Sequence, residues 1–149
     1  MSRGQGWTRA LTTLVVALAA DQGSKLLVNS RLMRGESVNV FFALDLTNSR
    51  NRGVAFGALE NSATIVGVLI GVALMLLLAY FAANAAKPWL WLPVGLLLGG
   101  ALGNLADRVR EGAVIDFIDP LGWPAFNLAD SMIVVGVLGL LYVVEGRRE

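Results

Sequence analysis

Thr64-Ile65-Val66-Gly67-Val68-Leu69-Ile70-Gly71-Val72-Ala73-Leu74-Met75-Leu76-Leu77-Leu78-Ala79-Tyr80-Phe81 carries no charge. With its apolar flanks it covers about 63–83, close to the ~20 residues that an α-helix needs to cross a hydrocarbon core. Three more segments read the same way, about 7–28, 89–105 and 128–144, the last uncharged from Ser131 to Val144. The rest of the composition agrees with that reading. Hydrophobic residues make up 56% of the chain and charged residues 15%, where about 25% charged is usual for soluble domains. A chain of 149 residues leaves too much surface exposed to bury so many apolar side chains in a water-soluble globule. The expected fold is an all-α membrane protein, a bundle of four transmembrane helices forming one integral membrane domain over 1–149.

Working outward, Trp7, Tyr80, Trp89, Trp91, Trp123 and Tyr142 fall near the ends of the spans, where amphipathic rings favour the headgroup level. Gly95, Gly99, Gly100 and Gly103 in the third span would let helix backbones approach closely. The first span has a second reading, because Arg3, Arg9, the apolar run Leu11 to Ala20 and the small Ala17 and Ala19 also fit a cleavable secretory signal. Asp21, Gln22 and Lys25 argue for a retained helix, since polar groups at membrane depth are costly and normally paired. Asp21 and Lys25 are four residues apart, acid first, and so share one helix face in the favourable order.

Four crossings put both termini on one side, with Arg3, Arg9, Lys87, Arg147 and Arg148, against Arg31, Arg34, Arg50, Arg52, Arg108 and Arg110 on the other. The short basic ends favour termini inside, because long connections cross regardless of charge. In the long connection between the first two spans, Val38, Val40, Phe42, Leu44 and Leu46 alternate with mostly polar neighbours, the period of a strand. Gly53 to Phe56 reads as a second strand after the turn-like Thr47 to Asn51. A small β element, about 38–57, is therefore expected on the extracytoplasmic surface between helices 1 and 2.

The chain has no histidine and no cysteine. That excludes imidazole- or thiolate-ligated zinc, Ser-His-Asp and Cys-His catalysis, and redox dithiols. A net charge of +1 carries no nucleic-acid footprint. The remaining acid-base candidates cluster at one membrane face. The third span ends Gly99-Gly100-Ala101-Leu102-Gly103-Asn104-Leu105-Ala106-Asp107-Arg108, with Asn104 and Arg108 on a shared face. Val114-Ile115-Asp116-Phe117 follows, and Phe126-Asn127-Leu128-Ala129-Asp130-Ser131 opens the fourth span. Asp116 and Asp130 therefore lie where they can meet. Two carboxylates in a desolvated pocket share a proton, which equips them to activate water and polarise a scissile carbonyl. The plainer alternatives are that Asp116 ends a turn, that Asp130 N-caps the fourth helix and that Arg108 anchors at the interface. A Ser/Lys dyad of Lys25 with Ser24 or Ser131 is a further option, and boundary acids also serve proton-coupled carriers.

Asp21-Gln22-Gly23-Ser24-Lys25, Asn51-Arg52-Gly53-Val54-Ala55-Phe56-Gly57, the Gly99 to Arg108 run, Val114 to Phe117 and Phe126 to Ser131 together resemble, in order, the motif blocks of the lipoprotein signal peptidase (signal peptidase II) family. The resemblance implies a four-helix aspartic endopeptidase of the bacterial inner membrane, with both termini cytoplasmic and the site toward the extracytoplasmic face. Such an enzyme cleaves prolipoproteins before a diacylglyceryl-modified cysteine. By position, Asp116 and Asp130 match the catalytic pair. Asn51, Gly100, Asn104, Arg108, Asn127 and Ala129 match positions that bind substrate or support the site, and Asp21 and Lys25 match the first motif as a structural polar pair. No cofactor and no metal are expected; the expected partners are lipidated precursors and membrane lipid, with no nucleic acid, and the chain is expected to be a monomer. Ile118 to Ala125 is shorter than that resemblance implies.

Overall fold

The computed structural model describes the backbone of residues 1–53 and 62–146 and their side chains except those of 62–67. Four helices emerge: α1 (Arg3–Arg31), α2 (Ser62–Asn84), α3 (Trp91–Glu111) and α4 (Leu128–Glu145), with strands β1 (Ser37–Phe41) and β2 (Leu44–Asn51) between α1 and α2, and β3 (Val114–Pro120) between α3 and α4. The helices coincide with the four apolar segments but run past some of them. α1 extends beyond 7–28 at both ends, and α3 starts two residues after Trp89 and continues past 105 to Glu111. α1 and α4 are each long and apolar enough to cross a membrane.

The bundle is apolar outside and polar at one end inside. Leu11, Val15, Val16, Leu26 and Leu27 on α1, Leu69, Met75 and Leu76 on α2, and Val134, Val135, Leu138 and Leu141 on α4 are exposed, whereas Asp21, Lys25, Asn104, Asp107, Asp116 and Asn127 are buried. Exposed aliphatic faces of this extent suit a lipid solvent, in which only buried polar groups need internal partners. The chain is accordingly a membrane protein.

α3 is the shared wall, packed along α1 on one face and α4 on another. Its glycines make this possible. Gly95, Gly99 and Gly103 recur every four residues and form one stripe against α1; a Cβ on Gly99 would lie 2.6 Å from the Ala17 Cβ and 2.9 Å from the Leu14 carbonyl. A Cβ on Gly100 would lie 2.6 Å from the Ala129 carbonyl of α4, and one on Gly103 would strike the Asp21 carboxylate. In lipid, where burial of apolar area does not drive helices together, this backbone proximity supplies the packing. Among the described residues, Phe81 near the C-terminal end of α2 and Ala85 just beyond it join Ala10, Leu90 and Val94 in a buried cluster, and Trp7 meets Phe81 edge-on at 4.8 Å.

The β element differs from the expected strand pair. The three strands form one antiparallel sheet in the order β1-β2-β3, so the third strand comes from the α3–α4 connection rather than from between helices 1 and 2. The alternating run Val38 to Leu46 is two strands, because the chain reverses at Phe42, whose φ of 48° is left-handed. Asn39 staples that reversal, its Nδ2 donating to the Phe42 carbonyl at 3.0 Å and to Asp45 Oδ1 at 2.7 Å. All of β1 is exposed, so its alternation marks no buried face. Of the expected Gly53 to Phe56 strand, residues 54–56 lie outside the described residues. β3 becomes possible because α3 stops at Gly112, which caps the helix with φ 67°, a conformation that costs glycine little.

Gly99→Ala should cost about 1–3 kcal/mol by forcing α1 from α3, read as a lower unfolding midpoint in detergent. Gly71→Ala, whose Cβ meets no described atom within 4 Å, should leave that midpoint unchanged.

Candidate active site

The site grows from the junction of α1, α3, β3 and α4. On α1, Asp21 and Lys25 do share a face: Lys25 Nζ lies 2.8 Å from Asp21 Oδ2. The pair is not alone, because Lys25 Nζ also lies 2.7 Å from Asp107 Oδ2 and donates to Asn104 Oδ1 at 3.1 Å. An ammonium has three N–H donors, and these three partners use them all. Lys25 is only 1% exposed, so burial is tolerable here because the charge is fully paired. Gln22 reinforces the cluster, with Nε2 near Asp21 Oδ2 (3.1 Å), Asp107 Oδ1 (3.0 Å) and the Gly103 carbonyl (3.1 Å). Arg110 donates to Gln22 Oε1.

Asn104 carries the connection forward. Its Oδ1 accepts from Lys25 Nζ and from Asn127 Nδ2 at 3.1 Å, while its Nδ2 donates to Asp130 Oδ1 at 2.8 Å. Two donors on one side of the amide and an acceptor on the other fix its orientation. Asn127 is the N-cap of α4: its Oδ1 accepts from the Asp130 amide at 2.9 Å, and its own amide donates to Asp130 Oδ2 at 3.2 Å. The N-cap is thus Asn127, and Asp130 is the third helical residue of a reciprocal capping box. The same Asn127 donates through Nδ2 to Asp116 Oδ1 at 2.8 Å. Asp116 and Asp130 are thereby held by one residue.

Asp116 lies within β3, not at a turn, opposite Ser49 of β2 in the sheet register. Asn51 Nδ2 donates to its Oδ2 at 2.9 Å and Ser49 Oγ to its carbonyl at 3.0 Å. β2 is in turn clamped to the bundle, with Arg50 Nε 2.6 Å from Glu111 Oε2, a carboxylate that Arg34 also reaches at 3.1 Å. Asp116 is 1% exposed, whereas Asp130 is half-buried. Burial pushes the Asp116 carboxyl above the ordinary carboxylate range. The hydrogen bond from Asn51 opposes that shift, and the neighbouring Asp130 carboxylate adds to it.

The remaining residues from the sequence fall into two groups. Gly100 and Ala129 meet at the α3–α4 contact beside the site, and the Ala129 amide donates to Asp21 Oδ1 at 2.9 Å. Arg108 is exposed, and among the described residues no hydrogen bond or ion pair engages its guanidinium. The Ser/Lys alternative has no geometry, since Ser24 Oγ donates to the Asp21 carbonyl, Ser131 Oγ to the Asn127 carbonyl, and Lys25 has no donor left. Asp107 was absent from the site expected from sequence. Its four-residue spacing from Gly103, in the glycine stripe facing α1, is the signal that would have placed it opposite Lys25, one turn on from Asp21.

A family model described as signal peptidase (SPase) II matches residues 13–145. The lipoprotein signal peptidase of Moorella thermoacetica is 44% identical over 134 residues, 89% of this chain and 89% of its own length. That of Halothermothrix orenii is 39% identical over 91% of this chain and 94% of its own. A bacterial membrane enzyme solved by the in meso method at 1.9 Å resolution superposes with a TM-score of 0.81 at 31% identity, covering 94% of each chain.

Lys25→Met should destabilise the protein by about 3–5 kcal/mol, because Asp21 would be left buried without an ion partner and Asp107 with only Arg110 at 3.4 Å. Unfolding in detergent would measure it, and an unchanged midpoint would count against the cluster's role in holding the bundle.

Proposed function

Because this chain belongs to the signal peptidase II family, we propose that it is an aspartic endopeptidase of the bacterial plasma membrane that removes signal peptides from prolipoproteins. It cleaves before a diacylglyceryl-modified cysteine with Asp116 and Asp130 as the catalytic pair. All four helices span the bilayer, both termini are cytoplasmic, and the sheet and the two aspartates face the other side. The observation that carries the reading is the Asn127 bridge, which donates to Asp116 Oδ1 at 2.8 Å and to Asp130 Oδ2 at 3.2 Å and so ties the two carboxyl groups to one residue.

Their unlike surroundings supply the roles. Buried Asp116, with its raised pKa, holds the shared proton and donates it to the scissile carbonyl oxygen. Half-buried Asp130 takes a proton from the attacking water, whose oxygen bonds to the carbonyl carbon. Collapse of the resulting gem-diol returns a proton to Asp116, and Asp130 protonates the departing amine. Donation from Asn104 and Asn51 holds each carboxyl plane while the charges change places. Acyl chains of the substrate stay in the bilayer and set the depth of the scissile bond, adding about 0.8 kcal/mol of affinity for each buried CH2 before ordering costs.

Asp116→Asn and Asp130→Asn should each abolish cleavage of a lipidated precursor peptide while the protein still inserts and folds, since Asn cannot shuttle a proton. Turnover by either variant would remove the dyad. The rate should be bell-shaped in pH. Its acid limb falls where both carboxyls are protonated, and its alkaline limb lies above the ordinary carboxylate range, where the raised Asp116 loses the shared proton. Precursor with a diacylglyceryl cysteine should be cut far faster than the same peptide with free cysteine. Equal rates would leave an aspartic protease without lipoprotein specificity.

A further inference from the structure

Lys25 binds two acids, and each acid has a second oxygen contact that ends one residue short of a candidate catalytic aspartate. Asp21 Oδ1 accepts the amide of Ala129 at 2.9 Å, and Ala129 precedes Asp130. Asp107 Oδ2 accepts the amide of Ile115 at 3.2 Å, and Ile115 precedes Asp116. Both acids bring Oδ2 to the same Lys25 nitrogen, at 2.8 and 2.7 Å. Asp21 and Asp107 are fully buried, and Ala129 and Ile115 are buried with them.

We propose that Lys25, Asp21 and Asp107 form a positioning clamp that sets the relation of the two catalytic aspartates, each acid gripping the backbone immediately before one of them. The symmetry of the contacts is the argument. Asp130 opens a helix and Asp116 sits in a strand; the Ile118–Phe126 bridge and Asn127 tie them together on one side, and the clamp fixes the backbone on the other. A path through Ala129, Asp21, Lys25, Asp107 and Ile115 does so with charge-assisted hydrogen bonds, which are shorter and stronger than neutral ones. Asp107 adds a link that the Asp21–Lys25 pair alone lacks, because only Asp107 reaches β3. None of the three touches substrate; they act through the placement of Asp116 and Asp130, where displacement by about 1 Å costs on the order of 10²-fold in rate.

The inference rests on the Asp116/Asp130 reading above. Its test compares Asp107→Ala with Asp107→Asn in the detergent-purified full chain, with rates on a lipidated precursor peptide expressed per folded molecule. Asp107→Ala removes the grip on Ile115 and should lower kcat by about 10²-fold with KM changed by no more than about threefold. Asp107→Asn keeps an oxygen for the Ile115 amide and should recover at least about tenfold of that loss. Equal losses in the two variants, or a loss confined to KM, would overturn the clamp. Should Asp107→Ala not fold, Asp21→Ala against Asp21→Asn makes the same comparison at Ala129, with the same criteria. Failure of the underlying reading looks different, since Asp116→Asn would then remain active. If only the clamp fails, Asp116→Asn stays inactive while the Asp107 pair shows no recovery.

Discussion

A lysine ammonium buried where a membrane helix meets its neighbours can persist only if every N–H finds an acceptor, and Lys25 finds Asp21, Asp107 and Asn104. That requirement organises the polar end of the molecule. It draws α1 and α3 together, orients the Asn104 amide, and through Asn104 reaches Asp130 on α4. Removing a buried charge's partner is far costlier than never having buried it, so the cluster behaves as a unit: its members hold position because none can leave alone.

The cluster depends on the glycines of α3. Lys25 reaches two residues of a neighbouring helix because Gly95, Gly99 and Gly103 bring the backbones of α1 and α3 close, and at Gly103 the space of a missing side chain is taken by Asp21. Gly100 does the same for Ala129 on α4. Packing by small residues and polar pairing are therefore one arrangement. The apolar outer faces leave helix orientation around its axis weakly specified in lipid, and the buried ion cluster specifies it.

The sheet completes the site from the other side. Asp116 is carried by β3, β3 is paired with β2, and β2 brings Asn51 to the Asp116 carboxylate while Arg50 ties the strand to Glu111 at the end of α3. A strand supplies a rigid backbone that a loop of the same length would not. The contrast between fully buried Asp116 and half-buried Asp130 accompanies this mixed construction: one carboxyl is carried by a strand of the sheet, the other by the first turn of a helix.

Much of this was legible in the chain. Long apolar runs mark where the four helices lie, and the Asp21–Lys25 contact follows from helical periodicity. Spacing and motif order single out Asp116, Asp130, Asn104 and Asn127. Local pattern failed where pairing is long-range. The alternation from Val38 to Leu46 shows no sign of the reversal at Phe42, and Val114 to Pro120 becomes a strand only because β2 lies beside it. Asp107 reads as one more charge at a helix end until the fold sets it against a lysine some eighty positions earlier. Sequence determined which groups are too polar for lipid and so must be paired; only the tertiary structure decided with which partners, because in a buried cluster the partner is whichever donor or acceptor the packing of distant backbones brings within about 3 Å.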